Sequence, residues 1–233
     1  MRLLALIPAR GGSKRLPGKN LLPLGGKPLI VWSIDVVRGL SAVCAILVST
    51  DDETIASVAA AAGADVPWMR PAELATDTAG SVDVALHALD WYEAAHGKVD
   101  GLMLLQPTSP LRSRNTVERG IAMFGEGGGR AVIGVAPAST HPLWALRLDD
   151  GGLRPWLDAG GLHLRSQDLP PAYEVTGALY LVSPQDLRAQ RSFFAPGALP
   201  LVIESRREAI DIDTAEDLVL AQALVAAAGE SKA

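Results

Sequence analysis

A three-layer α/β sandwich with a mostly parallel sheet is predicted by three observations. Short apolar runs of strand length alternate with helical patterns over the first 135 residues, which is the grammar of strands joined by crossover helices. The strand-like runs are almost wholly apolar rather than alternating, as expected where helices cover both sheet faces. Three polar loops follow strand ends, at 10–20, 49–52 and 106–112, so the topology brings them to one edge of the sheet, where such folds bind ligands. The 233 residues suffice for one domain, 1–233, with one excursion.

In chain order, Leu3–Ala9 reads as a strand, Leu29–Leu40 as a helix and Val43–Ser49 as a strand. Glu53–Ala62 reads as a helix ended by Gly63, and Ser81–Ala95 as a helix with Ser81 as its N-cap. Val99–Leu105 is a strand, Asn115–Phe124 a helix and Arg130–Val135 a strand. Prolines, tryptophans and turns then take over, and the stretch at about 137–173 reads as an arm leaving the main body. Asp149–Gly152 is the tip of a hairpin there, and Trp144 and Trp156 point to a dimer contact rather than a flap over the core. The sheet resumes at Thr176–Val182 and Leu201–Glu204. A closing helix, Thr214–Ala228, starts with Thr214 as N-cap and Asp217 three residues on, in the manner of a capping box, and Gly229–Ala233 is expected to fray.

Composition excludes several functions. A formal net charge of -5 leaves no face-wide basic patch for nucleic acid. No apolar run approaches the length of a membrane span and no charged-then-apolar leader opens the chain, so a cytoplasmic protein is expected. The single cysteine, Cys44, sits in an apolar run and is expected to be buried; it leaves no disulfide within the chain. His87, His96, His141 and His163 lack ligand spacing, which gives no support for zinc.

Against that acidic background, the loop after the first strand is strongly basic: Pro8-Ala9-Arg10-Gly11-Gly12-Ser13-Lys14-Arg15-Leu16-Pro17-Gly18-Lys19-Asn20. Glycines let backbone N–H groups approach phosphate oxygens while the cations neutralise charge, so a phosphate chain is the ligand that fits. A Walker A loop does not: five residues separate Gly12 from Gly18, and Asn20 stands where Ser or Thr would hold Mg²⁺. The G-x-G-x-x-G spacing of a dinucleotide fingerprint is also missing. Near the other end, Ile210-Asp211-Ile212-Asp213-Thr214 places two carboxylates two residues apart on an extended segment, hence on one face, with the isoleucines facing the core. Two such hard donors suit Mg²⁺, although Asp213 with Thr214 also fits a helix cap.

These residues resemble the CMP-sialic acid synthetases and their cytidylyltransferase relatives, nucleotidyltransferases with a Rossmann-like sandwich. The stretches carrying the resemblance are Ile7–Asn20, Arg70-Pro71-Ala72-Glu73-Leu74-Ala75-Thr76-Asp77-Thr78-Ala79, Gln106-Pro107-Thr108-Ser109-Pro110-Leu111-Arg112 and Ile210–Thr214, in the family's order. The resemblance implies that CMP passes from CTP to an acidic, sialic-acid-like acceptor with release of pyrophosphate. It implies a nucleotide site from Arg10, Gly11, Gly12, Ser13, Lys19, Asn20, Arg70, Ala79 and Ser81, with Arg10, Lys19 and Asp211 catalytic and Asp211 and Asp213 on Mg²⁺. Gln106, Arg165, Tyr180, Phe193 and Phe194 would shape the acceptor pocket, partly with the arm of a second subunit in a homodimer. Two departures concern the acceptor: Trp144 stands where relatives carry a basic residue, and Thr176-Gly177-Ala178 replaces Asn-Gly-Ala. Acceptors other than N-acetylneuraminate follow as expectations, among them related nonulosonic acids and small phosphonates. The alternative of a different class is a nucleotide-binding module that does no chemistry.

Overall fold

The computed structural model describes residues 1–157 and 159–230. Asp158, in the turn-rich arm, and Ser231–Ala233, in the tail expected to fray, lie outside the described residues. The elements in order are β1 (Leu3–Pro8), a two-residue ribbon of β2 (Pro23–Leu24) and β3 (Lys27–Pro28), α1 (Leu29–Val37), β4 (Val43–Ser49), α2 (Glu53–Ala61), α3 (Ser81–His96), β5 (Gly101–Leu104), α4 (Arg114–Glu126) and β6 (Val132–Pro137). The arm contributes β7 (Leu146–Asp149) and β8 (Gly152–Pro155). The chain then returns through β9 (Tyr173–Val182), α5 (Pro184–Gln190), β10 (Leu199–Val202) and α6 (Ala215–Glu230).

Six strands form one sheet in the order β10-β6-β9-β5-β1-β4. β1 runs parallel to both β4 and β5, and β10 parallel to β6, whereas β9 is antiparallel to β5 and β6. Side chains alternate across β1 as the pleat requires. Leu3, Ala5 and Ile7 face α1, α2 and α4, packing with Ile30, Ile34, Ile55, Val117 and Phe124. Leu4 and Leu6 face the opposite layer, against Ala85, Ala88, Leu89 and Tyr92 of α3 and Leu187 of α5. Both faces are therefore covered and the strands read as continuous apolar runs. A third cluster seats α6: Ile210 and Ile212 pack with Leu24, Leu29, Leu111 and Ala221. The chain goes from β1 to β4 on one side and then to β5 on the other, so a crevice opens at the C-terminal ends of β1 and β5.

Local chemistry sets several boundaries differently from the sequence reading. α1 stops at Val37, because Arg38 turns extended (φ -61, ψ 128) and Gly39 follows with φ +72. Gly80, not Ser81, occupies the N-cap of α3, with no side-chain cap; Ser81 is the first helical residue. Cys44 is exposed, not buried: β4 is an edge strand, and the thiol donates to the Leu3 carbonyl at 3.2 Å and accepts from the Tyr92 hydroxyl at 3.4 Å. At α6 the capping box forms as read. The Thr214 amide donates to Asp217 at 2.8 Å, and the Asp217 amide donates back to the Thr214 hydroxyl at 3.3 Å.

The excursion leaves and returns at one point, where the Ala138 amide donates to the Ala172 carbonyl at 2.9 Å. Its ribbon turns through Asp150 and Gly151, both with positive φ (48 and 77), as a two-residue hairpin of primed type requires. Cross-strand pairing puts Leu146 opposite Pro155 and Leu148 opposite Leu153 on one face, with Arg147 opposite Arg154 on the other. Leu148 is 83% exposed and Trp156 65%. Trp144 has a local role, donating its indole N–H to the Gly161 carbonyl at 3.1 Å.

Candidate active site

A cleft of about 630 Å³ opens at the crevice above β1 and β5. Its lining gathers Arg10, Ser13, Lys14, Arg15, Lys19 and Asn20 from the loop after β1, and Arg70, Asp77, Ala79 and Ser81 from the approach to α3. Gln106 comes from the end of β5, and Asp211 and Asp213 from the segment before α6. Five cations and three carboxylates face one space in a chain that is acidic as a whole, which makes the cleft a local trap for anions.

The loop holding those cations is fixed from below. The Ala9 amide donates to the Ser49 carbonyl and the Gly11 amide to Asp51 Oδ1, both at 2.9 Å. A Cβ on Gly11 would lie 2.9 Å from Asp52 Oδ2 and 3.0 Å from its Cβ, so a larger residue would have to displace Asp52. Asp52 has little room to yield, since its carboxylate caps α2 by accepting from the Thr54 and Ile55 amides. Gly18, with φ 65, turns the chain into the short helical turn Lys19–Leu21. Asn20 is buried there, and its amide donates to the Arg10 carbonyl at 2.9 Å, tying the two ends of the loop together.

The cations are braced by carboxylates from distant parts of the chain. Lys19 Nζ lies 2.8 Å from Asp213 Oδ1, and Arg15 Nη1 lies 2.8 Å from Asp213 Oδ2. The hydrogen bond from Lys19 is the main influence holding the Asp213 carboxyl below the usual range. On the other side, Arg10 lies 2.7 Å from Asp77, which Lys14 also contacts. Lys14 first, then Arg10, depress the Asp77 carboxyl through hydrogen bonds. Arg70 is buried beneath, donating Nε to the Ser49 hydroxyl at 2.9 Å and Nη2 to the Ser49 carbonyl. Burial lowers its pKa, Asp51 opposes that, and Arg10 adds to it.

The structure therefore brings the N-terminal cations and the aspartate pair into one cleft, with a direct contact across 194 residues of sequence. Arg10, Ser13, Lys19, Asn20, Arg70, Ala79, Ser81, Gln106, Asp211 and Asp213 all line it. Gly11 and Gly12 do not line the cleft but shape its loop. Tyr180 is half-buried, its ring 5.6 Å from Phe193 and 6.2 Å from Phe194. Its phenol is raised by burial and then by the charge of Asp211, so this cluster neighbours the carboxylate end of the cleft. Phe193 is buried in the core beneath, whereas Phe194 is exposed. Arg165 lies exposed in the arm, away from the cleft lining.

Asp77, Asp51 and Arg112 were not singled out by sequence reasoning. Asp77 lies within the Arg70–Ala79 stretch between Thr76 and Thr78; the signal was an acid in a polar turn that follows a basic residue of the same motif.

For Mg²⁺, Asp211 and Asp213 supply two hard oxygen donors on one wall of a cleft shaped for phosphates, which fits its preference for a few carboxylates plus substrate oxygens. Among the described residues no group of three or more metal-binding side chains exists, so water and substrate oxygens would complete the shell.

Comparison with known proteins identifies the family. A family profile described as cytidylyltransferase matches residues 4–117. The chain is 38% identical to the CMP-N,N′-diacetyllegionaminic acid synthase of Legionella pneumophila over 97% of each protein. It is 32% identical to a pseudaminic acid cytidylyltransferase of Campylobacter jejuni over 96% of each. Among solved structures, CMP:2-keto-3-deoxy-manno-octonic acid synthetase complexed with CTP superposes with a TM-score of 0.70 at 18% identity, covering 97% of this chain and 99% of that one. The chain belongs to the cytidylyltransferase family, among the CMP-sialic acid synthetases and related nonulosonate enzymes, and is a CTP-dependent nucleotidyltransferase.

Proposed function

We propose that this chain activates a nonulosonic acid of the diacetyllegionaminic type, joining it to CMP from CTP with release of pyrophosphate. The observation that carries the reading is the Lys19–Asp213 contact, because it joins the cation loop and the carboxylate pair in one cleft. Similarity to the L. pneumophila synthase over nearly the full length of both chains supports this acceptor class.

In this reading an acceptor hydroxyl oxygen bonds to the α-phosphorus while the bond from that phosphorus to the bridging oxygen of pyrophosphate breaks. The hydroxyl proton passes to solvent. Negative charge grows on the departing oxygen, so positioned cations are the main requirement. Lys19 and Arg10 meet it along the phosphate chain; the loop carbonyls and amides tied by Asn20 and Asp51 keep them aligned. Arg70, Ala79 and Ser81 form the base end, and Gln106, Tyr180 and Phe194 the acceptor end. Asp211 and Asp213 would hold Mg²⁺, which would supply Lewis-acid polarisation of the phosphate oxygens. The apolar ribbon face of Leu146, Leu148, Leu153 and Pro155 supports a homodimer in which a second arm completes the acceptor pocket. An isolated two-stranded ribbon is too weak to leave such a face uncovered. No helix among the described residues is long and apolar enough to cross a membrane, in keeping with a cytoplasmic enzyme.

The test is pyrophosphate release from CTP with Mg²⁺ across diacetyllegionaminic, pseudaminic, N-acetylneuraminic and ketodeoxynonulosonic acids and a simple phosphonate. The expected result is highest kcat/KM with diacetyllegionaminic acid. Preference for the phosphonate refutes the acceptor assignment, and no turnover with any acceptor despite CTP binding refutes catalysis.

A further inference from the structure

Arg112 lies under the acceptor end of the cleft, 4% exposed, at the close of the Gln106–Arg112 loop. Its guanidinium is held by neutral oxygens. Nη1 donates to the Ser33 hydroxyl of α1 at 2.7 Å; Nη2 donates to the Gln106 carbonyl and, at 3.4 Å, to the Gly177 carbonyl. Nε has no hydrogen-bond partner among the described residues. Burial pushes this guanidinium down to about 9, opposed by the charge of Asp211, so it is cationic at neutral pH.

Burying a cation among neutral groups is costly, and an apolar side chain of similar volume would fill the same space more cheaply. The position therefore calls for a reason. Two features supply one. The carbonyls held by Nη2 bracket the Gln106 side chain, because a Cβ on Gly177 would overlap Gln106 Oε1 and approach the Ser109 hydroxyl to 2.6 Å. The Gln106 amide also donates to the Gly177 carbonyl at 3.2 Å, so one guanidinium locks the end of β5 against β9 at the point where Gln106 enters the cleft. The opposite charge it senses is Asp211, on the same cleft wall.

We propose that Arg112 is a positioning residue for the acceptor: from beneath the floor it fixes Gln106. This rests on the reading of Gln106 as an acceptor-side residue. Arg112→Lys keeps the charge but loses the fork that spans Ser33, Gln106 and Gly177. Steady-state kinetics on the full chain, with Mg²⁺, CTP and N,N′-diacetyllegionaminic acid, should show the acceptor KM of Arg112→Lys rising about tenfold. That is the scale of one lost charge-assisted hydrogen bond. The CTP KM should stay within about twofold. Arg112→Met should show a fall in kcat as well, because no donor is left for the Gln106 and Gly177 carbonyls. Ser33→Ala, which leaves the cleft lining intact, should move the acceptor KM the same way by a smaller factor. Equal shifts in both KM values, or none, in a folded Arg112→Lys protein overturn the proposal. If circular dichroism shows that this variant does not fold, an unchanged acceptor KM in Ser33→Ala overturns it instead. Gln106→Ala separates the two readings. If it raises the acceptor KM while Arg112→Lys is silent, only Arg112 is misassigned; if Gln106→Ala is itself silent, the acceptor reading of Gln106 fails and the proposal with it.

Discussion

Lys19→Ala separates catalysis from stability more cleanly than any other change in the cleft. The Lys19 side chain is 13% exposed and its ammonium reaches Asp213 at 2.8 Å, while Asp213 keeps a second cation, Arg15, also at 2.8 Å. Removing Lys19 therefore leaves no orphaned carboxylate. Asp213 is itself 40% exposed, so the lost pair costs stability below about 1 kcal/mol. In a chain of this size that lowers Tm by no more than about 2–4 °C. In the proposed reaction the catalytic loss is larger, because there the ammonium would meet charge developing on pyrophosphate in the transition state. Deleting one such contact typically removes about 10²–10³ in turnover, roughly 2.7–4 kcal/mol. Pyrophosphate release at saturating CTP, Mg²⁺ and acceptor, measured beside a thermal melt, gives both quantities. Turnover within about fivefold of wild type at an unchanged Tm would falsify the role assigned to Lys19.

Four further outcomes are expected. Gly11→Ala forces a Cβ to 2.9 Å from an Asp52 carboxylate that cannot swing without uncapping α2; overpacking of this kind costs about 1–3 kcal/mol, and a urea midpoint equal to wild type contradicts the close approach. Asp77→Asn frees Arg10 and Lys14 from an exposed carboxylate that competes with phosphate, so the CTP KM should fall by about two- to fivefold, and a rise would show Asp77 helping the nucleotide instead. Asp213 is depressed in the fold chiefly by Lys19, so its pair contributes stability above the ordinary carboxylate range near pH ~4, and that contribution is lost as pH falls through the folded value; Asp213→Asn should flatten the acid limb of metal-free stability, and a limb identical to wild type excludes the pair as a stabilising element. Leu148→Asp places a charge on the apolar ribbon face and should convert a dimer to a monomer in sedimentation, whereas a variant with wild-type mass removes that face from the interface.

The layers and the cleft were legible for reasons that the residues display. Leu3–Ile7 is apolar on both faces because both faces carry helices, and that pattern survives in sequence. Asp211 and Asp213 alternate with Ile210 and Ile212, which pack under α6, so the period of two announced a cleft-facing pair. What sequence could not carry was the partner of each charge. Asp77 lies 67 residues from Arg10, and Thr76-Asp77-Thr78 by itself reads as a polar turn. The direction of β9 was hidden too, since an apolar strand buried on both faces looks the same in either orientation; the long arm between β6 and β9 lets the chain return antiparallel. Cys44 misled because its run is apolar while its strand sits at the sheet edge.

The ion pairs in the cleft also explain why so many opposite charges can be packed where a polyanion must bind. Were Arg10, Lys14, Arg15 and Lys19 gathered without Asp77 and Asp213, four cations on one short loop would repel one another, and the loop would open. The two carboxylates offset that repulsion from opposite walls, through Arg10 and Lys14 on one side and Arg15 and Lys19 on the other. A triphosphate accepting the same cations takes over that neutralising role. Binding is then an exchange of counter-ions, and the net gain is the difference between phosphate and carboxylate as partners. In the proposed reaction the carboxylate released from Lys19 and Arg15 would become a donor to Mg²⁺, whereas Asp77 is given no such second use. The two walls should consequently answer differently to the same change of acid to amide: loss of Asp213 weakens the reaction, and loss of Asp77 tightens the nucleotide.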